Sequence, residues 1–424
     1  MITTPAFPSN LASLRDEIIR ESVQHLEASY SPQELDNLLC PELDPGLLSL
    51  RDGAGVPPWE AFAPILIGLQ ELVTPGVYSV LPKQSRAPSP PAIVIETVID
   101  ALFVLLAGDY AVEMSAEEAS EKAAGTSLFL ISKLPSFRER AGWNQFASLK
   151  DPAVWTEFAL FGQEKREELG KLDLIPEIDE AIRARNKDRY LQFLREHGSD
   201  YAFDYQIRLV QRAYPGWRAL LLHDITNALA LGGRAAEDRV KATPVPFLPR
   251  IISEHLGSLY QTDLHPETQI GDANFIEHPH RGITTGQTGK IGIGCVIYPC
   301  TLGGVTDKVK QRHPILGDFV LIGTDVGIYG PVQVGEGSVV GPNTEINGLV
   351  TLGKGVKIRA AVVARTLISE SGRPGRLIFA DGAVVGEEAL IINDQPTDLL
   401  VPAGFHIPPN SHVINDGTGK PKIL

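Results

Sequence analysis

From residue 315 the chain falls into blocks of six: ILGDFV LIGTDV GIYGPV QVGEGS VVGPNT EINGLV TLGKGV KIRAAV. The second position of each block is aliphatic: Leu316, Ile322, Ile328, Val334, Val340, Ile346, Leu352 and Ile358. A six-residue period belongs neither to an α-helix nor to a simple edge strand. It fits one short face of a triangular parallel β-coil. Each aliphatic then fills the shaft, and the glycine that often follows allows a tight corner. Stacked faces bury one another's apolar edges.

The chain ahead of the coil is of another kind. Helical spacing of apolar and charged positions runs through 12–37, and further helices are predicted over 58–73, 91–108, 115–131, 151–172 and 175–198. A helical stretch over 200–233 is interrupted at Pro215 and Gly216, and proline-rich LPKQSRAPSPP occupies 81–91. The fold class expected is therefore α+β. Its divisions are a helical extension over 1–90, a helical domain over 91–260, a coil over 261–400 and a C-terminal tail over 401–424.

With 424 residues, 43% of them apolar and 21% charged, the chain is long enough to bury a sizeable core. A net charge of −14 repels a phosphate backbone and argues against broad nucleic-acid binding. It leaves room for an anionic small substrate in a local basic pocket. The opening MITTPAFPSN lacks the basic and apolar regions of a secretory signal, and the apolar stretch at 98–108 is short for a membrane span. Cys40, Cys295 and Cys300 form neither a disulfide framework nor a C-x2-C knuckle. A cytoplasmic protein with free thiols is expected.

The six-residue phase breaks at EHPHRG (277–282) and at GGVTDKVKQRHP (303–314), and both should protrude as loops. They carry His278 and His280, and His313. Layers of a parallel coil lie about 4.8 Å apart, so such residues can meet within one subunit or across a boundary between two. A neutral histidine can take an alcohol's proton as that oxygen attacks a thioester. Glu277 or Asp263 could fix the tautomer, backbone N–H groups could stabilise the oxyanion, and Arg312 could pair with a carboxylate through its two-donor fork. A plainer reading stands beside this one: Asp263 and His265 cap the first coil, and Arg312 is a solvated charge. The three histidines could also offer nitrogen ligands to zinc. The hexapeptide-repeat carbonic anhydrases, however, carry two histidines five positions apart, and no H-x4-H pair exists here.

The ordered set FLPRIISEHLGSLYQTDLHPETQIGDANFIEHPHRGITTGQT, CTLGG and RHPILGDFVLIGTDVGIYG, mostly within 246–360, resembles serine O-acetyltransferase. That family shows D-I-H-P, D-H-x-x-G…G-E-T, T-L-G-G and R-H-P in the same order. The resemblance implies a left-handed parallel β-helix behind a helical domain, assembled as trimers or paired trimers. It implies acetyl transfer from acetyl-CoA, a substrate rather than a tightly bound cofactor, to L-serine for cysteine synthesis. Another small alcohol or amine acceptor, or a non-catalytic assembly role on the same fold, are the alternatives. The general base carries over to His278, with Glu277 in place of the preceding aspartate, or to His280 under the opposite gap. Arg312 would hold the serine carboxylate, His313 would support catalysis, and Asp263 would orient His313. Gly303 and Gly304 would border the acyl-donor cleft. Gln287 replaces the glutamate of G-E-T, and His223 and Asp224 stand where Tyr-Arg is frequent. The ending GKPKIL, with Leu424 in place of a terminal isoleucine, leaves a complex with O-acetylserine sulfhydrylase as a further expectation.

Overall fold

The computed structural model describes residues 6–38, 58–76, 90–148, 209–232, 240, 242–305, 311–367 and 375–424. The helices expected over 151–172 and 175–198, nearly all of 81–91, Cys40 and the centre of the 303–314 loop lie outside them. The chain forms two compact units: Met1–Ala141 with Leu221–His255, and Gly142–Leu220 with Leu256–Leu424.

The first unit is helical. Its main described elements are α1 (Ala12–Ser29), α2 (Pro58–Val73), α3 (Pro91–Tyr110), α4 (Ala116–Ser132), part of α5 (Leu134–Ser148), part of α6 (Pro215–Leu231) and part of α7 (Leu248–Tyr260). α3 packs against α1, α2 and α4 and buries Val94, Ile95, Val98, Ile99, Leu102, Phe103 and Leu106 at three- and four-residue spacing. At 20 residues it is longer than the 98–108 stretch, and by length and composition alone it could cross a membrane. Its apolar stripe is covered by neighbouring helices, which is how a core helix is satisfied. Ser115 starts α4 by accepting the Glu118 N–H at 3.3 Å. Asp109 reaches the first residues of α7, where its carboxylate accepts the N–H groups of Phe247 and Leu248 at 3.1 and 3.4 Å.

His223 and Asp224 are interior residues of α6. Arg140 donates from Nε and Nη2 to the two Asp224 oxygens, both at 2.9 Å. Burial alone would raise the Asp224 carboxyl, but Arg140 and His223 outweigh it and hold it below the usual carboxylate range. The departure from Tyr-Arg is thus a buried ion pair.

The second unit is a parallel β-solenoid. Its first sheet runs Thr262–Asp263, Ile283–Thr284, Cys300–Gly303, Val326–Tyr329, Glu345–Asn347, Val363–Thr366, Leu390–Asn393 and His412–Asn415. The second begins Gln269–Ile270, Lys290–Ile291, Ile315–Leu316, and the third Phe275–Ile276, Val296–Ile297, Leu321–Ile322. The six-residue phase is the strand register: Ile328 pairs with Ile346, Val334 with Leu352 and Val340 with Ile358. All eight aliphatics of the repeat are at most 2% exposed. Every third block therefore returns to the same sheet one turn higher.

The glycines that follow these aliphatics have a different purpose from the one expected. Gly335 and Gly341 are not in the left-handed region, but a Cβ on either would lie 2.4 and 2.7 Å from the next turn's backbone. Close approach of turns excludes a side chain there. Positive φ falls two residues later, at Gly337 (68°) and Asn343 (57°).

The coil does not stop at residue 400. Leu399–Val401, His406–Ile407 and His412–Asn415 extend the three sheets, and Pro421–Ile423 turns back antiparallel onto His412–Asn415. Residues 401–424, set apart as a tail on sequence, thus carry coil and a strand that covers its last edge.

Candidate active site

Both irregular loops fall at corners of the solenoid. The histidine loop leaves the third sheet after Ile276 and enters the first at Ile283, with extra residues that the later turns lack. His278 lies in the left-handed region at φ 49° and ψ 46°, Pro279–Arg281 form one 3-10 turn, and Gly282 has φ 100°. A non-glycine residue in that conformation costs roughly 1–2 kcal/mol, so the surrounding structure must hold it there. The equivalent corners of later turns hold such a residue by the same coil geometry, with left-handed residues at Asp325, Asn343, Ala361, Glu388 and Asn410. Two contacts fix the strand just upstream of His278. A Cβ at Gly216, near the start of α6, would sit 1.8 Å from the Ile276 carbonyl oxygen, so only glycine lets the helix approach. The Asn274 N–H donates to Asn144 Oδ1 at 3.0 Å, while Asn274 Oδ1 accepts the Cys295 N–H at 2.7 Å. Further along, Arg281 Nη2 lies 3.1 Å from Asp325 Oδ2.

The strained corner turns the His278 imidazole back onto Glu277. Its Nε2 lies 3.0 Å from Glu277 Oε1, with the carboxylate side chain 8% exposed and the imidazole 55% exposed. When Nε2–H donates to that carboxylate, Nδ1 keeps its lone pair on the open side and can accept a proton. His280 is exposed and meets His278 edge-on, with ring centroids 5.7 Å apart. The carboxylate contact belongs to His278.

His313 lies at the opposite end of the first sheet, where the chain crosses towards the second. A Cβ on Gly286 would fall 1.9 Å from His313 Nε2, and one on Gly304 would fall 2.7 Å from it. The ring therefore rests on the backbone of two turns at once. Its Nδ1 receives the Thr288 N–H at 3.3 Å and lies 2.9 Å from Thr288 Oγ1. That hydroxyl also accepts the N–H groups of Arg312 and His313 at 3.1 and 3.2 Å. Burial pushes the His313 pKa down, and the charges of Arg312 and His265 push it the same way. Burial and neighbouring charge thus both favour the neutral imidazole.

The other expected residues gather around this second corner. Gly303 ends its strand beneath the Tyr329 ring, where a Cβ would be 2.8 Å from Cδ1. Val305 N–H donates to the Arg312 carbonyl at 3.1 Å and closes the base of the loop. Asp263 opens the first sheet, and its carbonyl accepts the Thr285 N–H at 2.8 Å. The partner of His313 Nδ1 is Thr288, not Asp263. Gln287 donates to Glu267 Oε1 at 3.0 Å. Sequence reasoning missed Gly286 and Thr288, although both stand in the GQT triplet that flanks Gln287.

Within one chain the two corners stay apart. They flank Ile283–Thr284, so four residues of extended chain, on the order of 13 Å at about 3.3 Å each, separate Gly282 from Gly286. The arrangement presents a carboxylate–imidazole pair at one corner. At the other it presents an imidazole N–H beside a guanidinium.

Residues 313–348 match the family model described as bacterial transferase hexapeptide, six repeats. The chain is 31% identical over 176 residues to a serine acetyltransferase of Synechococcus elongatus, covering 41% of this chain and 60% of that one. It is 31% identical over 134 residues to the serine acetyltransferase of Helicobacter pylori strain 26695, covering 31% of this chain and 71% of that one. Among solved structures, serine acetyltransferase isoform 3 of Entamoeba histolytica in complex with cysteine aligns at a TM-score of 0.48 and 18% identity. That alignment covers 82% of this chain and 87% of the other. The chain spans 60%, 44% and 53% of three curated relatives, those of Synechococcus, Synechocystis and Mycobacterium tuberculosis.

Proposed function

Because the chain belongs to the serine acetyltransferase family, we propose that it transfers an acetyl group from acetyl-CoA to the hydroxyl of L-serine. The observation that carries this reading is the Glu277–His278 pair, held at a strained, inserted corner of an otherwise regular coil. His278 Nδ1 accepts the serine hydroxyl proton while Oγ attacks the thioester carbonyl. The tetrahedral oxyanion collapses with cleavage of the C–S bond. The thiolate regains the proton from the imidazolium, giving O-acetyl-L-serine and CoA. Glu277 stabilises the imidazolium between the two proton transfers. Arg312 pairs with the serine carboxylate, and the Gly303–Gly304 ledge borders the acyl donor. Holding both substrates against rigid corners supplies much of the acceleration. No metal or tightly bound cofactor enters these steps.

One complete site draws His278 from one copy and His313 from another, since the two lie at opposite ends of the first sheet. A cyclic trimer brings unlike corners of neighbouring copies together. Residues 1–90 and 91–260 are assigned as helical extension and helical domain, with the catalytic coil from 261 onward. Engagement of O-acetylserine sulfhydrylase through the C-terminal residues would require Pro421–Ile423 to leave its pairing with His412–Asn415.

The test is CoA release from acetyl-CoA with and without L-serine, with O-acetylserine identified as the product. Release that depends on serine supports the reading. Release that depends instead on another alcohol or amine in an acceptor panel favours an altered acceptor, which the Gln287–Glu267 contact beside Thr288 would accommodate. No transfer to any acceptor rejects both.

A further inference from the structure

We infer that Thr288 is a positioning residue that fixes His313 in the Nε2–H tautomer and thereby makes it an obligate hydrogen-bond donor rather than a base. The catalytic consequence rests on the proposed acetyl transfer; the tautomer follows from the hydrogen bonds alone.

A backbone N–H has one hydrogen and can only donate, so the Thr288 N–H at 3.3 Å requires a lone pair on His313 Nδ1. The Thr288 hydroxyl oxygen already accepts two backbone N–H groups, from Arg312 and His313. An oxygen with two lone pairs so occupied has its hydrogen left to give, and His313 Nδ1 stands 2.9 Å away to take it. Two donors from one residue thus converge on Nδ1. A neutral imidazole carries one proton, which must then sit on Nε2. That nitrogen lies over Gly286 and Gly304, at the corner where Arg312 also begins the strand approach.

Protonating Nδ1 would break both bonds and place a new cation beside the Arg312 guanidinium and the His265 ring, the titratable groups that bear on His313. His265 is held in the same sense, since its Nδ1 accepts the Glu267 N–H at 3.2 Å. Two imidazoles of one tautomer and a guanidinium therefore supply donors only. Such a corner receives a carboxylate or a developing oxyanion and cannot take the hydroxyl proton. The proton transfer is left to the Glu277–His278 corner. The threonine was visible in GQT, but its bearing on a histidine 25 residues later required the corner geometry.

The experiment is long-range nitrogen–proton correlation NMR of the full-length protein labelled at histidine nitrogen, with His313 assigned by loss of its signals in His313→Gln. The wild type should show an unprotonated Nδ1 and a protonated Nε2 at about pH 8, where a neutral imidazole is expected. Thr288→Val loses the hydroxyl donor at 2.9 Å and keeps only the longer backbone N–H contact at 3.3 Å, so it should admit a fraction of the Nδ1–H tautomer and shift the His313 titration upward. Thr288→Ser, which keeps the hydroxyl and the N–H, should restore the wild-type pattern. In the CoA-release assay Thr288→Val should lose on the order of 100-fold in kcat/KM for serine, with Thr288→Ser within about tenfold of wild type. A protonated Nδ1 in the wild type, or a Thr288→Val spectrum identical to wild type, overturns the inference. If Thr288→Val does not fold, the wild-type and Thr288→Ser spectra decide alone. Absence of serine-dependent release in the wild type would sink the proposed function while leaving the tautomer assignment standing or falling on the spectra.

Discussion

The His313 ring fits because residues 286 and 304 have no side chain. Gly286→Ala would put a methyl group 1.9 Å from His313 Nε2, and the ring must move. Steady-state kinetics should then show a loss of at least about 100-fold in kcat/KM, since displacement of about 1 Å at a reacting centre has that effect. Retention of wild-type activity would remove His313 from the site. The same ring has a pH signature. Its pKa is lowered in the folded protein, so below about pH 6.5 the unfolded chain binds the extra proton first. The stability it contributes is complete above that pH and is lost as pH falls through the folded value. Denaturant midpoints between about pH 7 and pH 5 should therefore fall less steeply in His313→Gln than in the wild type.

Elements explain which parts of the molecule were legible in the sequence. The eight aliphatics from Leu316 to Ile358 announced the coil because its period is enforced by register, and each lines the shaft as expected. The corner at His278 was legible only as an interruption. The strand leading into it packs against Gly216, which is 62 residues from His278 in sequence yet abuts Ile276, and is bonded by Asn144 at Asn274. No local spacing encodes such contacts. Which of His278 and His280 meets Glu277 likewise depends on how the corner turns the imidazole, which local spacing does not encode. α6 shows the reverse case, since His223 and Asp224 drew notice as departures from a family motif and prove to be interior packing. Arg140→Ala should leave the Asp224 carboxylate buried without its partner and destabilise the protein by about 3–5 kcal/mol in chemical denaturation. The Arg140–Asp224 pair also weakens in acid, because the depressed Asp224 pKa contributes stability above about pH 3.9 that is lost as pH falls.

At the scale of the whole molecule, the proposed division of the site between two copies would make catalysis a property of the assembly. His278→Ala and Gly286→Ala each spoil a different half of every site. Co-expressed as mixed trimers, they should recover activity, because pairing an intact His278 corner with an intact His313 corner regenerates about one site in three. Separately purified and simply combined without subunit exchange, they should not. Recovery in neither case would place the whole site within one copy. The most direct test of the account is serine-dependent CoA release by His278→Ala and His280→Ala, each confirmed to keep the wild-type oligomer. The account predicts a loss on the order of 100-fold or more in kcat for His278→Ala and near wild-type turnover for His280→Ala. Full activity in His278→Ala, with the loss falling on His280→Ala or on neither, would contradict it.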